Sequence, residues 1–496
     1  MSRPSVRISN GLLRGASDGR VDAFLGVPYA ASPLGTRRFT APEPAENWSG
    51  ERDASCYGPS ALQAASGPGR QILDMSEAAT SEDCLYLNVW TTGLGQPADR
   101  PVLVWIHGGA FVVGSGALPI YDGSALAARG DVVVVTINYR LGPFGWLRSA
   151  ELGTTGNEGL LDQALALAWV QQEICEFGGD AANVTVVGES AGAISIAAHI
   201  TRSGPKPFRR AILQSGAHNL ILGLGSADRA ADRLLDHLGS PSCDELRALP
   251  AENLLAAYEA ATPRSAGIFY GPLRDGVVVP QDPTAALKAG SAAGIDVLTG
   301  SNREEMGFFW GRDPQFDSLD KAALTALVGR MTEPRSEQIV AAYRGARTGR
   351  GEQVDNRSIA VAIGSDATFR NGDIELASIQ SELAKAWMYL FEWRSPLYDG
   401  LVGAAHVLEV PFMFGTIRHQ TCASFVGDDP AATELSERMM DGWLAFARTG
   451  DPGWEAYDTS TRKTVRFGRE SRVDSDPLRE ERLAWAGALG VDPRRA

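Results

Sequence analysis

The stretch Val184-Thr-Val-Val-Gly188-Glu189-Ser190-Ala191-Gly192-Ala193 constrains this chain more than any other. Four β-favouring residues run into Gly-x-Ser-x-Gly, and small, mostly apolar residues follow from Ala191 to Ala198. Strand, sharp turn and helix must therefore succeed one another within a few residues. Such a turn strains the serine backbone and pushes its Oγ outward. The glycines on either side let strand and helix pass at close range. The helix starting after Ser190 leaves unpaired N–H groups at its first turn. A second match, Gly15-Ala-Ser17-Asp-Gly19, has no helix after it. There, Asp18-Gly19 reads as a turn between two short strands.

Pro101-Val-Leu-Val-Trp-Ile106 and Val132-Val-Val-Val-Thr-Ile-Asn-Tyr139 are near-continuous apolar runs, as expected of strands covered on both faces. Between Gly159 and Phe177 leucines and alanines recur at helical spacing. Shorter strand-like runs follow at 184–187, 211–213, 297–299 and 388–393. Strands separated by helix-length segments imply parallel connections. The expected class is α/β, with a large, mostly parallel central sheet flanked by helices. The first hundred residues read as an antiparallel edge, and about 226–262 and 315–385 as helical insertions over the active site. Arg344 to Asn356, with Gly345, Gly349 and Gly351 among charges, reads as a flexible loop. No Pro- or Ser-rich linker divides the chain, so 1–496 is expected to form one domain.

A net charge of −14 argues against a nucleic-acid partner. The N-terminal residues lack a signal-like apolar core, and no run approaches the roughly 18 apolar residues of a membrane span. The expectation is a cytoplasmic protein with reduced thiols and no membrane partner. Of the five cysteines, Cys175 falls in a helical pattern and reads as a core residue. No Cys-x-x-Cys or His-x-x-x-His spacing indicates a metal site.

A serine hydroxyl needs a base, and histidine is the usual one. The chain holds six: His107, His199, His218, His237, His406 and His419. Folds built on this turn place the base last, after serine and acid, which leaves His406 and His419. His406 follows the last clear strand, with small residues before it and apolar ones after, whereas His419 lies among polar residues. The acid should lie past a strand between serine and histidine. Val297-Leu-Thr-Gly300-Ser-Asn-Arg-Glu304-Glu305 fits, and the local residues leave Glu304 and Glu305 both open. The strand ending at Ile106 runs into His107-Gly108-Gly109-Ala110-Phe111, a loop whose backbone N–H groups can approach a substrate oxygen, with a further donor from Ala191. His107 then reads as a residue that orients this loop.

Many ordered strings resemble one family, the type-B carboxylesterase/lipase or cholinesterase-like α/β-hydrolases. They include Leu25-Gly-Val-Pro-Tyr-Ala30, Ser81-Glu-Asp-Cys-Leu-Tyr-Leu-Asn-Val-Trp90, Asn138-Tyr-Arg-Leu-Gly-Pro-Phe-Gly145 and Ala211-Ile-Leu-Gln-Ser-Gly216. The chain is similar in character to bacterial carboxylesterases and p-nitrobenzyl esterases. The resemblance implies the α/β-hydrolase fold and a serine esterase that needs no cofactor or metal. It places the nucleophile on Ser190, the acid on Glu305 and the base on His406. Oxyanion donors fall on Gly109, Ala110 and Ala191, with Gly108 supporting the turn and Glu189 and Ser215 as polar neighbours. The implied substrate is a small-molecule ester; an amidase, a carbamate hydrolase or a lipase could use the same residues. A non-catalytic interaction protein of this fold would typically lack the nucleophile. Phe308, Phe309 and Trp310 are candidate acyl-site or core residues. Met306 replaces the family's glycine after the acid, and Glu173 and Ala181 replace a common asparagine and proline. The family's early disulfide would pair Cys84 with Cys56, which is offset from the usual position. Before Ser81 the family's choline-binding tryptophan is missing, which disfavours choline esters.

Overall fold

The computed structural model describes residues 3–63, 79–262, 270–311, 313–316, 318–332 and 335–486. Its central sheet has eleven strands. In chain order they are β1 Ala16–Ser17, β2 Asp22–Pro28, β3 Tyr86–Thr91, β4 Arg100–Ile106, β5 Val133–Ile137, β6 Gly179–Glu189, β7 Arg210–Gln214, β8 Asp296–Asn302, β9 Ala386–Phe391, β10 Lys463–Phe467 and β11 Arg472–Ser475. Across the sheet they lie β11-β10-β9-β8-β7-β6-β4-β5-β3-β2-β1. From β10 to β5 every neighbouring pair is parallel. Antiparallel pairings finish both sides, through β11 on one and β3, β2 and β1 on the other. The expected antiparallel edge of the first hundred residues is thus matched by a second one near the C-terminus.

The parallel strands are buried because helices cover both faces. Along β4, Val102, Val104 and Ile106 enter one core, and Leu103 and Trp105 enter the other. Helices Glu158–Glu173 and Ala191–Thr201 pack on the first face, Ser124–Gly130 and Ala431–Thr449 on the second. Further helices cover most of 224–261 and 321–380. The Gly15–Gly19 motif is the tight turn its sequence suggests, with the Asp18 carboxylate accepting from the N–H groups of Arg20 and Val21.

Three local expectations are corrected. Ser336–Gly349 is helical, so the expected loop at Arg344–Asn356 is helix for its first half. Burial of Ile339, Val340 and Tyr343 outweighs the roughly 1 kcal/mol that each mid-helix glycine costs. What remains of the loop is tied down by Arg344 to Val354 O, Arg347 to Gln353 O and the Arg350–Glu352 ion pair. Cys175 is exposed: the helix tightens to a 3₁₀ turn at Ile174–Phe177, burying Ile174 and Phe177 and turning the thiol outward. Cys56 and Cys84 are both free, the first exposed and the second buried, so the family's early disulfide is not formed here. Glu173, where relatives commonly carry asparagine, is buried and accepts from the Ser9 backbone N–H at 3.0 Å.

Candidate active site

The residues singled out by sequence gather at the carboxyl ends of β4, β6, β7, β8 and β9. Ser190 follows β6 and precedes helix α1, Ala191–Thr201. Its backbone sits at φ 54° and ψ −120°, a conformation rare for a side-chain-bearing residue and costing on the order of 1–3 kcal/mol. Close packing holds it there. A Cβ on Gly192 would lie 1.9 Å from the Ile106 carbonyl oxygen, and one on Gly188 would lie 2.7 Å from the Gly192 carbonyl carbon. The Ser190 N–H donates to Gln214 O on β7 at 2.9 Å.

Beside this turn lies the loop after β4. Gly109, Ala110 and Phe111 take φ values of 114°, 53° and 64° in succession. Gly109 O accepts from Val112 N and Val113 N, and Phe111 O from Gly142 N, which fixes the loop's course. A Cβ on Gly108 would lie 3.2 Å from Ser190 Cβ and 2.5 Å from Glu189 Oε2, so only glycine allows the approach. The N–H groups of Gly109, Ala110 and Ala191 donate to no group among the described residues. His107 stacks on Tyr139 with ring centroids 4.4 Å apart, and its carbonyl accepts from Tyr139 Oη at 2.8 Å. Burial holds the His107 imidazole down to about 4, so it is neutral at working pH.

Glu305 is fully buried just past β8. Its Oε1 accepts from Ser215 Oγ and from Asn302 N, each at 2.6 Å. Its Oε2 lies 2.6 Å from His406 Nδ1. Glu304 faces the other way, accepting from Arg394 at 3.0 Å and from Ala404 N at 2.9 Å. Of the two adjacent carboxylates, Glu305 therefore meets the histidine. Met306 lies outside the positive-φ residues, so its backbone does not demand the family's glycine, and its N–H donates to Ser365 Oγ. His419 sits apart as the cap of helix Gln420–Val426.

His406 Nε2 is buried with no hydrogen-bond partner among the described residues. Glu189 Oε1 approaches it to 3.1 Å, outside hydrogen-bonding geometry. Burial pulls the imidazole down, but Glu189 and Glu305 outweigh it and hold His406 up to about 9. Burial drives Glu189 well above the ordinary carboxylate range. Glu409 is pushed up to about 7 by burial and then by Glu305, against the donors Asn302 and Gln214. These groups titrate as one cluster.

Some neighbours escaped the sequence. Glu409, three residues past His406 in the turn before helix Val410–Phe414, was within reach of that spacing. Asp373 and Phe369 were not, since both lie on a helical stretch with no motif. Phe369 stacks on His406 with centroids 4.7 Å apart and planes at 28°, while Phe309 and Phe308 stand at 5.2 and 6.0 Å. Phe309 is 40% exposed. Trp310 turns away and stacks on Phe316, in a separate apolar cluster.

The carboxylesterase family model matches residues 2–485. The chain belongs to the carboxylesterase family. It is 37% identical to the para-nitrobenzyl esterase of Bacillus subtilis, over 97% of this chain and 98% of that one. It is 34% identical to the phenmedipham hydrolase of Pseudarthrobacter oxydans, over 91% of each. Among solved structures, the Geobacillus stearothermophilus carboxylesterase at pH 6.2 superposes with a TM-score of 0.87 at 37% identity, over 97% of this chain and 100% of that one. This carboxylesterase is a carboxylic ester hydrolase with the α/β-hydrolase fold. No described helix is long and apolar enough to cross a membrane. Among the described residues no group of three or more His, Cys, Asp or Glu side chains is arranged to hold a metal ion.

Proposed function

We propose that the carboxylesterase works through an acyl-enzyme on Ser190, with His406 as general base and Glu305 as its orienting acid. The observation that carries this is the Glu305–His406 contact at 2.6 Å, which leaves Nε2 without a hydrogen-bond partner, together with the strained turn that holds Ser190 at φ 54°. Glu305 accepts from Nδ1–H, so in the uncharged imidazole, which is reached as pH rises toward about 9, Nε2 can take the Ser190 proton. Oγ attacks the ester carbonyl, and the oxyanion settles on the N–H groups of Gly109, Ala110 and Ala191. His406 then protonates the leaving alcohol, and water, activated by the same nitrogen, releases the acid. Gly108 lets the loop approach, Ser215 anchors Glu305, and Glu189 stands against the Nε2 edge of the imidazole. Small-molecule esters are the substrate class, and no cofactor takes part in these steps. Five unbridged cysteines support the cytoplasm as the compartment.

Ser190→Ala should lower ester turnover by roughly 10⁴-fold or more while the fold persists. Nitrophenyl ester hydrolysis by the purified variant checks this. Activity within tenfold of the parent would remove Ser190 from the mechanism.

A further inference from the structure

One rare piece of backbone stands directly behind the site. Helix α2, Asn356–Ser365, does not simply continue into helix α3, Asn371–Gln380. Asp366–Arg370 between them forms a π-turn, a wide turn found mostly at functional sites. Phe369 lies on this turn, buried, with its ring face against the His406 imidazole. Just before the turn, Ser365 Oγ accepts from Met306 N, the residue after Glu305. The same short stretch thus touches His406 and the backbone of the residue after Glu305.

The turn is itself gripped from outside the site. Asp366 accepts from Tyr343 Oη on helix Ser336–Gly349 and from Arg370 at 3.2 Å. Arg370 also donates to Pro477 O at 2.6 Å. Tyr343 Oη in turn accepts from Trp485 Nε1 at 2.6 Å, on the C-terminal helix Arg479–Trp485. Tyr343, Asp366, Arg370 and Trp485 are all buried. A continuous chain of buried contacts therefore runs from the C-terminal helix to the imidazole: Trp485, Tyr343, Asp366, the π-turn, Phe369, His406.

We propose that Phe369 is a positioning residue for His406, and that Asp366, Tyr343 and Trp485 form the clamp that keeps its ring in place. The inference rests on His406 being the base. A stacked aromatic face restrains the imidazole from rotating and favours its cationic form. The charged and titratable groups facing His406 are Glu305 beyond β8, Glu189 at the end of β6 and Glu409 three residues on, with Asp373 and Tyr389 behind them. None of these is altered by substitutions at Phe369 or Tyr343. A shift of the rising limb of kcat/KM with pH therefore reports on the stack.

The test is the pH profile of kcat and kcat/KM with a soluble nitrophenyl ester, for the parent, Phe369→Leu, Phe369→Tyr and Tyr343→Phe. Phe369→Leu is expected to move the rising limb to lower pH by roughly half a unit or more, because loss of the ring disfavours imidazolium. Its plateau kcat should fall by about tenfold, with KM changing less. Phe369→Tyr keeps the ring and should keep the parent limb. Tyr343→Phe removes one oxygen of the clamp and should shift the limb in the same direction by less. A parent-like limb in Phe369→Leu, or a kcat loss that Phe369→Tyr does not restore, assigns Phe369 to packing and overturns the proposal. Should Phe369→Leu fail to fold, Tyr343→Phe decides, and a parent limb there overturns the clamp. Failure of the base assignment looks different: His406→Ala would then retain turnover in the same assay.

Discussion

The Glu305 carboxylate is wholly enclosed and receives Ser215 Oγ, Asn302 N and the His406 ring, whereas Glu304, one bond sequence away, faces Arg394 and the Ala404 N–H. The pair is a natural internal control. Glu305→Gln leaves an amide that cannot hold the imidazole's tautomer or balance its charge, and should lower kcat by about 10³- to 10⁴-fold. Glu304→Gln loses its ion pairs to the exposed Arg394 and, at 4.0 Å, to Arg303, each worth about 1 kcal/mol or less, and should leave kcat within about threefold. Steady-state hydrolysis of one ester by both variants checks the order, and a larger loss at Glu304 would contradict the assignment. Local sequence left these two residues open because both follow the same strand and turn. What separates them is the direction of each side chain, which depends on where the loop around Ala404–His406 returns.

At the scale of elements, the ends of β7 and β8 hold two buried acids at once. Ser215 and Asn302 grip Glu305, while Thr299 Oγ1 donates to Asp373 on helix α3 at 3.3 Å. Burial, then the nearby Glu305, drives Asp373 well above the ordinary carboxylate range. The folded state therefore keeps a proton that the unfolded chain releases. Stability linked to this group is complete below the ordinary carboxylate value near 3.8 and is lost as pH climbs toward the raised folded value. Each pH unit in that window costs about 1.4 kcal/mol. Asp373→Asn removes the titration, so its melting temperature relative to the parent should rise between pH 5 and pH 8. A difference that stays flat or shrinks would contradict a protonated Asp373. The parallel strands were legible because burial on both faces demands unbroken apolar runs, as at Val102–Ile106. The loop after β4 was legible because Gly108 and Gly109 permit the approach to Ser190. The π-turn left no such trace: Asp366–Arg370 has no glycine, proline or periodicity to mark it. Cys175 was misplaced for a related reason, since one tightened turn rotates a helical pattern without changing its composition.

For the whole molecule, the fold brings residues from five strand ends to one point, across more than 200 positions of sequence between Ser190 and His406. Periodicity cannot measure such separations. The order serine, acid, histidine and the family strings bridged them instead, and the family model and relatives agree over nearly the full chain. The central claim is a covalent acyl intermediate on Ser190. Acid-quenching the enzyme during turnover of a slow nitrophenyl ester, followed by peptide mass mapping, tests it most directly. The account predicts one added acyl mass on the peptide carrying Ser190, absent when Ser190→Ala is treated alike. Rapid turnover in which Ser190 never carries the acyl group, or an acyl mass found on another side chain, would contradict it.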